Sequence, residues 1–384
     1  MKNLMLLGAT GSIGSQVLDI IREYKDEYQL KSIAFGKNIN KAIAIIDEFK
    51  PEYVAVDRYE DYLILKEKFP NIAFGYGEEG LINAATYLNE KGYLINAVVG
   101  MIGLKPTVAA IQKGHDILLA NKETLVVAGE IITKLVKEYN VNLIPIDSEH
   151  STIYQCLLGQ SKEDLSRIII TASGGAFRDK KRSELENVTV NDALKHPNWK
   201  MGAKITIDSA TMVNKGLEVI EAHFLFGLDY EKIETVLHKE SIIHSLVEYN
   251  DGAIIAGLSY PDMRIPIAYA LSTPRRKDLS FIKKMDFKTF FNLTFAPMDF
   301  ERFPLLSLAY EVGKMGGIMP MVYNTANEIA VQLFLDGKIK FLEIDEIINY
   351  AVKETKNILN PSLDEILEYD KLLRKELQAK FEVK

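Results

Sequence analysis

From Asn3 to about residue 147 the chain alternates short apolar runs with amphipathic stretches, and few folds accommodate that rhythm. NLMLLG is apolar throughout, as a strand covered on both faces must be. SQVLDIIREY follows, with Val17, Ile20 and Ile21 at helical spacing. LKSIAFG, PEYVAVD, LINAVVG and DILLANK repeat the strand pattern; KAIAIIDEF, PTVAAIQKG and ETLVVAGEIITKLVKEY repeat the helical one. Strands joined through helices run parallel, so this section predicts a parallel sheet with helices on its faces.

The first strand-to-helix turn is GATGSIG, with Gly8, Gly11 and Gly14 in a GxxGxxG spacing. Glycine permits a tight turn and a close backbone approach, and the helix that follows offers unpaired N–H groups to a phosphate. The middle glycine is not where the usual GxGxxG has it, so the strand-turn-helix context carries the dinucleotide reading; a merely structural turn is the alternative. The section is therefore expected to be Rossmann-like. A site for the unphosphorylated dinucleotide places an acid at the end of the second strand. Here Gly36, Lys37 and Asn38 stand there, and Lys37 suits a 2′-phosphate, which favours NADP over NAD; the alternative is a solvated surface lysine.

In LIPIDSEHSTIYQCL two carboxylates, Asp147 and Glu149, close an apolar run. On a strand end, residues i and i+2 point the same way, and the carboxyl end of a strand in an open α/β sheet is where ligands bind. Two hard anions side by side suit Mg²⁺ or Mn²⁺, or are simply surface acids. Asn121, Lys122 and Glu123 end another strand at the same edge. Further on, KITIDSATMVNKGLEVIEAHF predicts a strand and then a helix on which Asn214, Lys215 and Glu218 share a face. That face could hold an anionic, hydroxylated ligand and a metal, or be a solvated Lys–Glu pair. Ser209 is expected at the helix start, where it could be no more than a cap. TASGGAF offers Ser173 and two glycines as a phosphate seat. LKHPNWKMGAK puts His196, the sole tryptophan Trp199 and Met201 in one polar loop, either a lid over a ligand or a satellite of the core.

With 384 residues the chain exceeds one typical core. The expected parts are a Rossmann-like domain over 1–147, a central α/β domain over 148–274 whose sheet is partly antiparallel, a connector over 275–302 rich in proline and charge, and a helical bundle over 303–384. Ser362 and Glu365 have capping-box spacing at the start of the last helix. The net charge of −7 gives no general attraction to nucleic acid. One cysteine, Cys156, excludes an internal disulfide and reads as a packed thiol rather than a nucleophile. No apolar run reaches membrane-spanning length. MKNLMLLGATG passes straight into strand and turn without a leader pattern, so a cytoplasmic enzyme is expected.

GATGSIG, GKN, LLANKE, IDSEHS, TASGGAF, HPNWKMG and DSATMVNKGLE, in this order, resemble the 1-deoxy-D-xylulose 5-phosphate reductoisomerases over essentially the whole chain. The resemblance implies a metal-assisted retro-aldol/aldol rearrangement of 1-deoxy-D-xylulose 5-phosphate and NADPH hydride transfer to give 2-C-methyl-D-erythritol 4-phosphate, a step of non-mevalonate isoprenoid synthesis. It implies a divalent metal (Mg²⁺, Mn²⁺ or Co²⁺) on Asp147, Glu149 and Glu218, and makes the central domain the catalytic one. It implies substrate contacts from Lys122, Ser148, Glu149, Ser173, His196, Trp199, Ser209, Asn214, Lys215 and Glu218. Among these, serine hydroxyls, an amide and cationic groups including His196 hold the phosphate. NADPH contacts fall on Thr10, Gly11, Ser12, Ile13, Gly36, Lys37, Asn38, Asn121, Glu123 and Gly202. Lys122, Asp147, Glu149, Glu218 and His196 are the implied catalytic residues, with the general base unassigned between Lys122 and Glu149. Trp199 is similar to the indole of the family's flexible loop. The resemblance further implies a homodimer and inhibition by fosmidomycin. Two other classes stand against it: a metal-independent NADP-dependent semialdehyde or homoserine dehydrogenase, and a nucleotide-sensing regulator without turnover.

Overall fold

The computed structural model describes residues 1–289 and 291–381; residue 290 of the expected connector and residues 382–384 of the expected helical bundle lie outside the described residues. The chain divides into two compact units. The first comprises Met1–Thr124, Ile132–Ser151 and Asp262–Ile282; the second comprises Leu125–Ile131, Thr152–Pro261 and the chain from Lys283 onward.

The first unit is built on seven strands among the described residues: β1 Lys2–Leu7, β2 Tyr28–Phe35, β3 Tyr53–Val56, β4 Ala73–Tyr76, β5 Tyr93–Asn96, β6 Asp116–Leu119 and β7 Leu143–Pro145. They lie in the order β4-β3-β2-β1-β5-β6-β7, every pairing parallel. Helices cover both faces, which is why Leu4, Met5, Leu6 and Leu7 of β1 are all fully buried. The expected face of helix Ser12–Glu23 is the one it buries: Val17, Ile20 and Ile21, with Gly14 and Leu18. The strand order reverses direction at β1, between β2 and β5, and such a reversal opens the crevice where dinucleotides bind.

From sequence, residues up to 274 belong with the central section and 275–302 connect it to the helices. In the structure Asp262–Ile282 returns to the first unit. Ile267, Ala268, Ala270 and Leu271 of helix Arg264–Ser272 join the core around the sheet. Lys2 Nζ donates to Leu271 O at 2.7 Å, and Lys277 pairs with Glu27. An apolar helix carries no mark of which sheet it will cover, so this return is invisible in the sequence.

The second unit holds β8 Leu165–Ala172, β9 Ile233–Leu237, β10 Ile243–Tyr249, β11 Ile254–Leu258 and β12 Ala296–Pro297. Their order is β11-β10-β8-β9-β12; β8 and β9 are parallel and the other pairs antiparallel. Its helices include Ala203–Thr211, Val213–Phe226, Pro304–Met315, Met319–Leu335, Glu343–Glu354 and Leu363–Phe381. Gly216 lets two of them cross closely, since a Cβ there would stand 2.5 Å from the Ala309 Cβ. The last helix is capped as expected: the Ser362 N–H and Oγ–H donate to Glu365 Oε2 at 2.8 and 2.7 Å, and the Glu365 N–H donates back to Ser362 Oγ at 3.3 Å.

One segment departs from its predicted state. KITID is not a strand but part of helix Ala203–Thr211. Its β-branched residues favour a strand locally, but Thr206, Ile207, Ala210 and Thr211 fall on one buried helical stripe, and packing overrides propensity. Met212, at φ 65°, then turns the chain into the next helix.

Candidate active site

In the first unit the functional candidates stand along the carboxyl edge of the parallel sheet. Gly8 adopts φ 85°, and a Cβ on it would lie 2.4 Å from the Ala97 carbonyl oxygen; a Cβ on Gly14 would lie 2.2 Å from Gly8 O. Both glycines are therefore required by the turn itself. Gly11 precedes helix Ser12–Glu23 with no side-chain cap, so the N–H groups around Ser12 and Ile13 face outward unpaired by a side chain. Lys41 lies against this turn, its ammonium bonded to Thr10 O at 3.0 Å and to Ser15 Oγ. At the end of β2, Gly36 and Lys37 are exposed, and Asn38 caps helix Ile39–Phe49 by accepting from the Lys41 N–H at 3.1 Å. Asn121, after β6, is almost fully committed. Its amide donates to Val98 O and Gly100 O, both at 3.0 Å, and to Glu123 Oε2 at 2.9 Å, while its Oδ1 caps Thr124.

Asp147 and Glu149 reach this edge by a route different from the predicted strand alternation. β7 stops at Pro145, and Asp147 caps the helix Ser148–Cys156. Its Oδ1 accepts from the Glu149 and His150 N–H groups at 3.1 and 3.3 Å. Glu149 thus sits in the first turn of a helix, with Ser148 Oγ donating to its Oε2 at 2.7 Å. The helix N-terminus favours both acids electrostatically. Lys122 pairs with the other oxygen of Asp147, and His150 Nδ1 lies 3.0 Å from Oδ1. Burial pushes the Asp147 carboxyl up, but the Lys122 ammonium and His150 outweigh it and hold the group well below the usual carboxylate range.

In the second unit Glu218, Lys215 and Asn214 share one helix face, as predicted. Asn214 Nδ2 donates to Glu218 Oε1 at 2.6 Å, and Lys215 Nζ to Oε2; Glu218 is 1% exposed. Ser209 is not an N-cap. It lies late in helix Ala203–Thr211, and its hydroxyl bonds back to Ile205 O at 2.9 Å. The glycine turn after β8 rests on that helix end: a Cβ on Gly175 would stand 2.4 Å from Ser209 O. This contact brings Ser173 into the neighbourhood of Ser209. Ser173 Oγ accepts from the Gly175 N–H at 3.2 Å and lies 3.0 Å from His196 Nε2.

His196 Nδ1 accepts from the N–H groups of Asn198 and Trp199, at 3.2 and 3.0 Å. With Nδ1 accepting, the proton of the neutral ring sits on Nε2 and points to Ser173. Burial and then the Arg178 charge lower the His196 pKa to about 4. His196 is therefore a neutral donor, not the cation expected from sequence. Trp199 meets the His244 ring edge-on, centroids 6.0 Å apart. Gly202 begins the helix Ala203–Thr211 without a side-chain cap. Residue spacing had passed over Lys41, His150, Arg178 and His244. For Lys41 a signal existed: a second lysine four positions after Lys37, in the first turn of a helix.

The 1-deoxy-D-xylulose 5-phosphate reductoisomerase family matches in three stretches. Its family description covers residues 4–129, one described as its C-terminal domain covers 143–226, and a DXP reductoisomerase C-terminal domain covers 258–376. The 1-deoxy-D-xylulose 5-phosphate reductoisomerase of a Geobacillus species is 53% identical over 380 residues, 99% of this chain and 100% of that one. That of Bacillus subtilis is 54% identical over 373 residues, 97% of each chain. A crystal structure of DOX-P reductoisomerase with NADPH, fosmidomycin and magnesium superposes with TM-score 0.94 at 37% identity, covering 100% of this chain and 99% of its own. The Zymomonas mobilis enzyme with NADPH gives 0.92 at 39% identity, with 100% of both chains covered. By sequence and by fold, over nearly its full length, this chain belongs to the 1-deoxy-D-xylulose 5-phosphate reductoisomerase family.

Proposed function

We propose that the protein converts 1-deoxy-D-xylulose 5-phosphate to 2-C-methyl-D-erythritol 4-phosphate with NADPH and a divalent cation, acting in the cytoplasm as a homodimer. The observation that carries this reading is full-length family membership. Among the described residues no helix is long and apolar enough to cross a membrane.

The donor set fits a hard cation. Asp147, Glu149 and Glu218 offer carboxylate oxygens only, and the lysine beside Asp147 favours its ionised form. These three would hold the metal, which when bound polarises the substrate's carbonyl and adjacent hydroxyl oxygens as a Lewis acid. The chain's own groups do the rest. Lys122 and Glu149 stand where a proton can be taken and returned. Ser173, Ser209, Asn214 and Lys215 supply hydroxyl, amide and ammonium donors for the phosphate, and His196 adds a neutral N–H. Trp199 closes over the substrate and excludes water. Thr10–Ile13, Gly36–Asn38, Asn121, Glu123 and Gly202 line the NADPH, Lys37 facing its 2′-phosphate. The Asn121 side chain is occupied by the Val98–Gly100 loop, so it shapes the cofactor seat through that loop. The test is NADPH oxidation by pure protein with the ketose phosphate and Mg²⁺, with and without EDTA. Turnover abolished by EDTA and restored by Mg²⁺ is expected; turnover indifferent to EDTA would favour a metal-independent dehydrogenase.

A further inference from the structure

Lys239 O, in the turn between β9 and β10, gathers three segments of the second unit. Arg178, from the glycine turn that bears Ser173, donates a guanidinium N–H to it at 2.8 Å. Asn198, from the loop that bears His196 and Trp199, donates to it at 2.6 Å, and the same amide nitrogen donates to Ser241 Oγ at 2.7 Å. Both amide hydrogens of Asn198 are thereby used. The orientation is fixed chemically, because a backbone carbonyl only accepts and a flipped amide would set oxygen against oxygen. The turn is itself tied by hydrogen bonds and an ion pair. His238 Nε2 accepts from the Ile242 and Ile243 N–H groups at 3.2 and 3.1 Å, and the Lys239 ammonium pairs with Asp179.

The Asn198 main chain completes the arrangement. Its N–H and that of Trp199 both donate to His196 Nδ1, which leaves Nε2–H toward Ser173. One residue thus ties the loop to a fixed turn through its side chain and sets the histidine tautomer through its backbone. Trp199, the next residue, packs on His244, five positions beyond Lys239.

We propose that Asn198 is a positioning residue for the sugar phosphate: by holding the 196–202 loop on the Lys239–Ser241 turn it sets where the His196 N–H and the Trp199 ring meet the substrate. This rests on the reading above that His196 and Trp199 contact that substrate. A side chain that merely stabilises the fold would affect melting and all kinetic constants together. A positioning role separates them.

The chain has one tryptophan, so its fluorescence reports this loop directly. Asn198→Ala is expected to raise the KM for 1-deoxy-D-xylulose 5-phosphate several-fold, the scale of a lost pair of partly exposed hydrogen bonds. The melting temperature should stay near wild type, the KM for NADPH should change less than that for the sugar phosphate because only Gly202 of the loop is assigned to the cofactor, and acrylamide quenching of Trp199 should rise about twofold or more. Asn198→Asp keeps the size, loses both donors and sets a carboxylate against the Lys239 carbonyl, with only the Ser241 hydroxyl able to turn and donate to it, so its effect should be at least as large. If Asn198→Ala fails to fold, Ser241→Ala, which spares the Lys239 bond, should shift quenching in the same direction by less. Wild-type quenching and wild-type substrate KM in Asn198→Asp would overturn the proposal. His196→Ala is the control. If it raises the substrate KM while Asn198→Asp does not, only the role of Asn198 falls; if neither raises it, the substrate reading falls and takes this role with it.

Discussion

Asp147 and Glu218 are both carboxylates pinned by a lysine, yet the chain builds the two pins in opposite ways. Lys122 and Asp147 are far apart in sequence. They meet because β6 and β7 are parallel neighbours in a register that pairs Leu119 with Pro145, so the residues just beyond each strand emerge side by side. Lys215 and Glu218 are one helical turn apart and meet wherever that helix forms. The first pin exists only in the assembled sheet, and the second needs only a helix. Removing a partner should therefore have different consequences at the two places.

The largest effect is expected at the helical pin. Glu218→Gln keeps the shape but leaves one acceptor oxygen where Glu218 offers one each to Asn214 and Lys215, and it removes the charge proposed to hold the metal. The kcat should fall on the order of a thousandfold, the scale of losing a preorganised charge at a reacting centre. NADPH affinity should hardly move, whereas the melting temperature should fall, because the change leaves the Lys215 ammonium buried beside an uncharged partner. Steady-state kinetics with NADPH titration checks this, and an equal loss of NADPH binding would remove Glu218 from the metal role.

At the sheet pin, activity and stability should fall together. Lys122→Met leaves Asp147 buried, with His150 and the helix N-terminus as its remaining support. Breaking such a pair costs about 3 kcal/mol, and loss of the ammonium proposed to handle the proton should lower kcat by about a hundredfold. The pH dependence gives the sign. Because the folded pKa of Asp147 lies below its unfolded value of about 3.9, its contribution is complete above that value and is lost as pH falls through the folded one. Without Lys122 the folded pKa rises and the contribution shrinks. In EDTA, the acid-side fall in melting temperature due to Asp147 should begin at the same pH in both proteins but be smaller in Lys122→Met and level off at a higher pH; parallel curves would contradict the pairing.

The same contrast governs what could be read from the sequence. The Asn214–Lys215–Glu218 face was legible because helical spacing alone sets it. The glycine turn was legible because Gly8 and Gly14 satisfy local backbone demands. Asp147 and Glu149 are neighbours, but on a geometry other than the expected strand end: the chain leaves the strand two residues earlier, and Asp147 acts as a helix cap, a role open to any aspartate before a helix. Ser209 was misplaced because Ile205, Thr206 and Ile207 look like a strand until tertiary packing selects the helix. Lys122 facing Asp147, Ser173 facing His196 and the return of Asp262–Ile282 all depend on which elements become neighbours. Local pattern carries no such information, and only the resemblance of the motifs supplied part of it.

The smallest effect separates the charged pins from an uncharged donor. His196 is held neutral above about pH 4 by burial and by Arg178 in the unliganded protein, so the proposed role is to offer the phosphate a hydrogen bond and no charge. His196→Gln retains a neutral N–H donor and should raise the substrate KM only several-fold, the scale of an imperfectly placed hydrogen bond. His196→Phe, which keeps the ring and loses the donor, should raise it further. The substrate phosphate itself titrates near pH 6, so the wild-type KM will vary with pH, and the comparison lies in the difference between profiles. Since the wild-type ring carries no proton to lose between about pH 5 and 8, the profiles of wild type and His196→Gln should run parallel there. A wild-type KM that rises through that range while the glutamine variant's does not would mean that His196 binds phosphate as a cation, and that its environment stabilises the charged ring where the structure has it neutral.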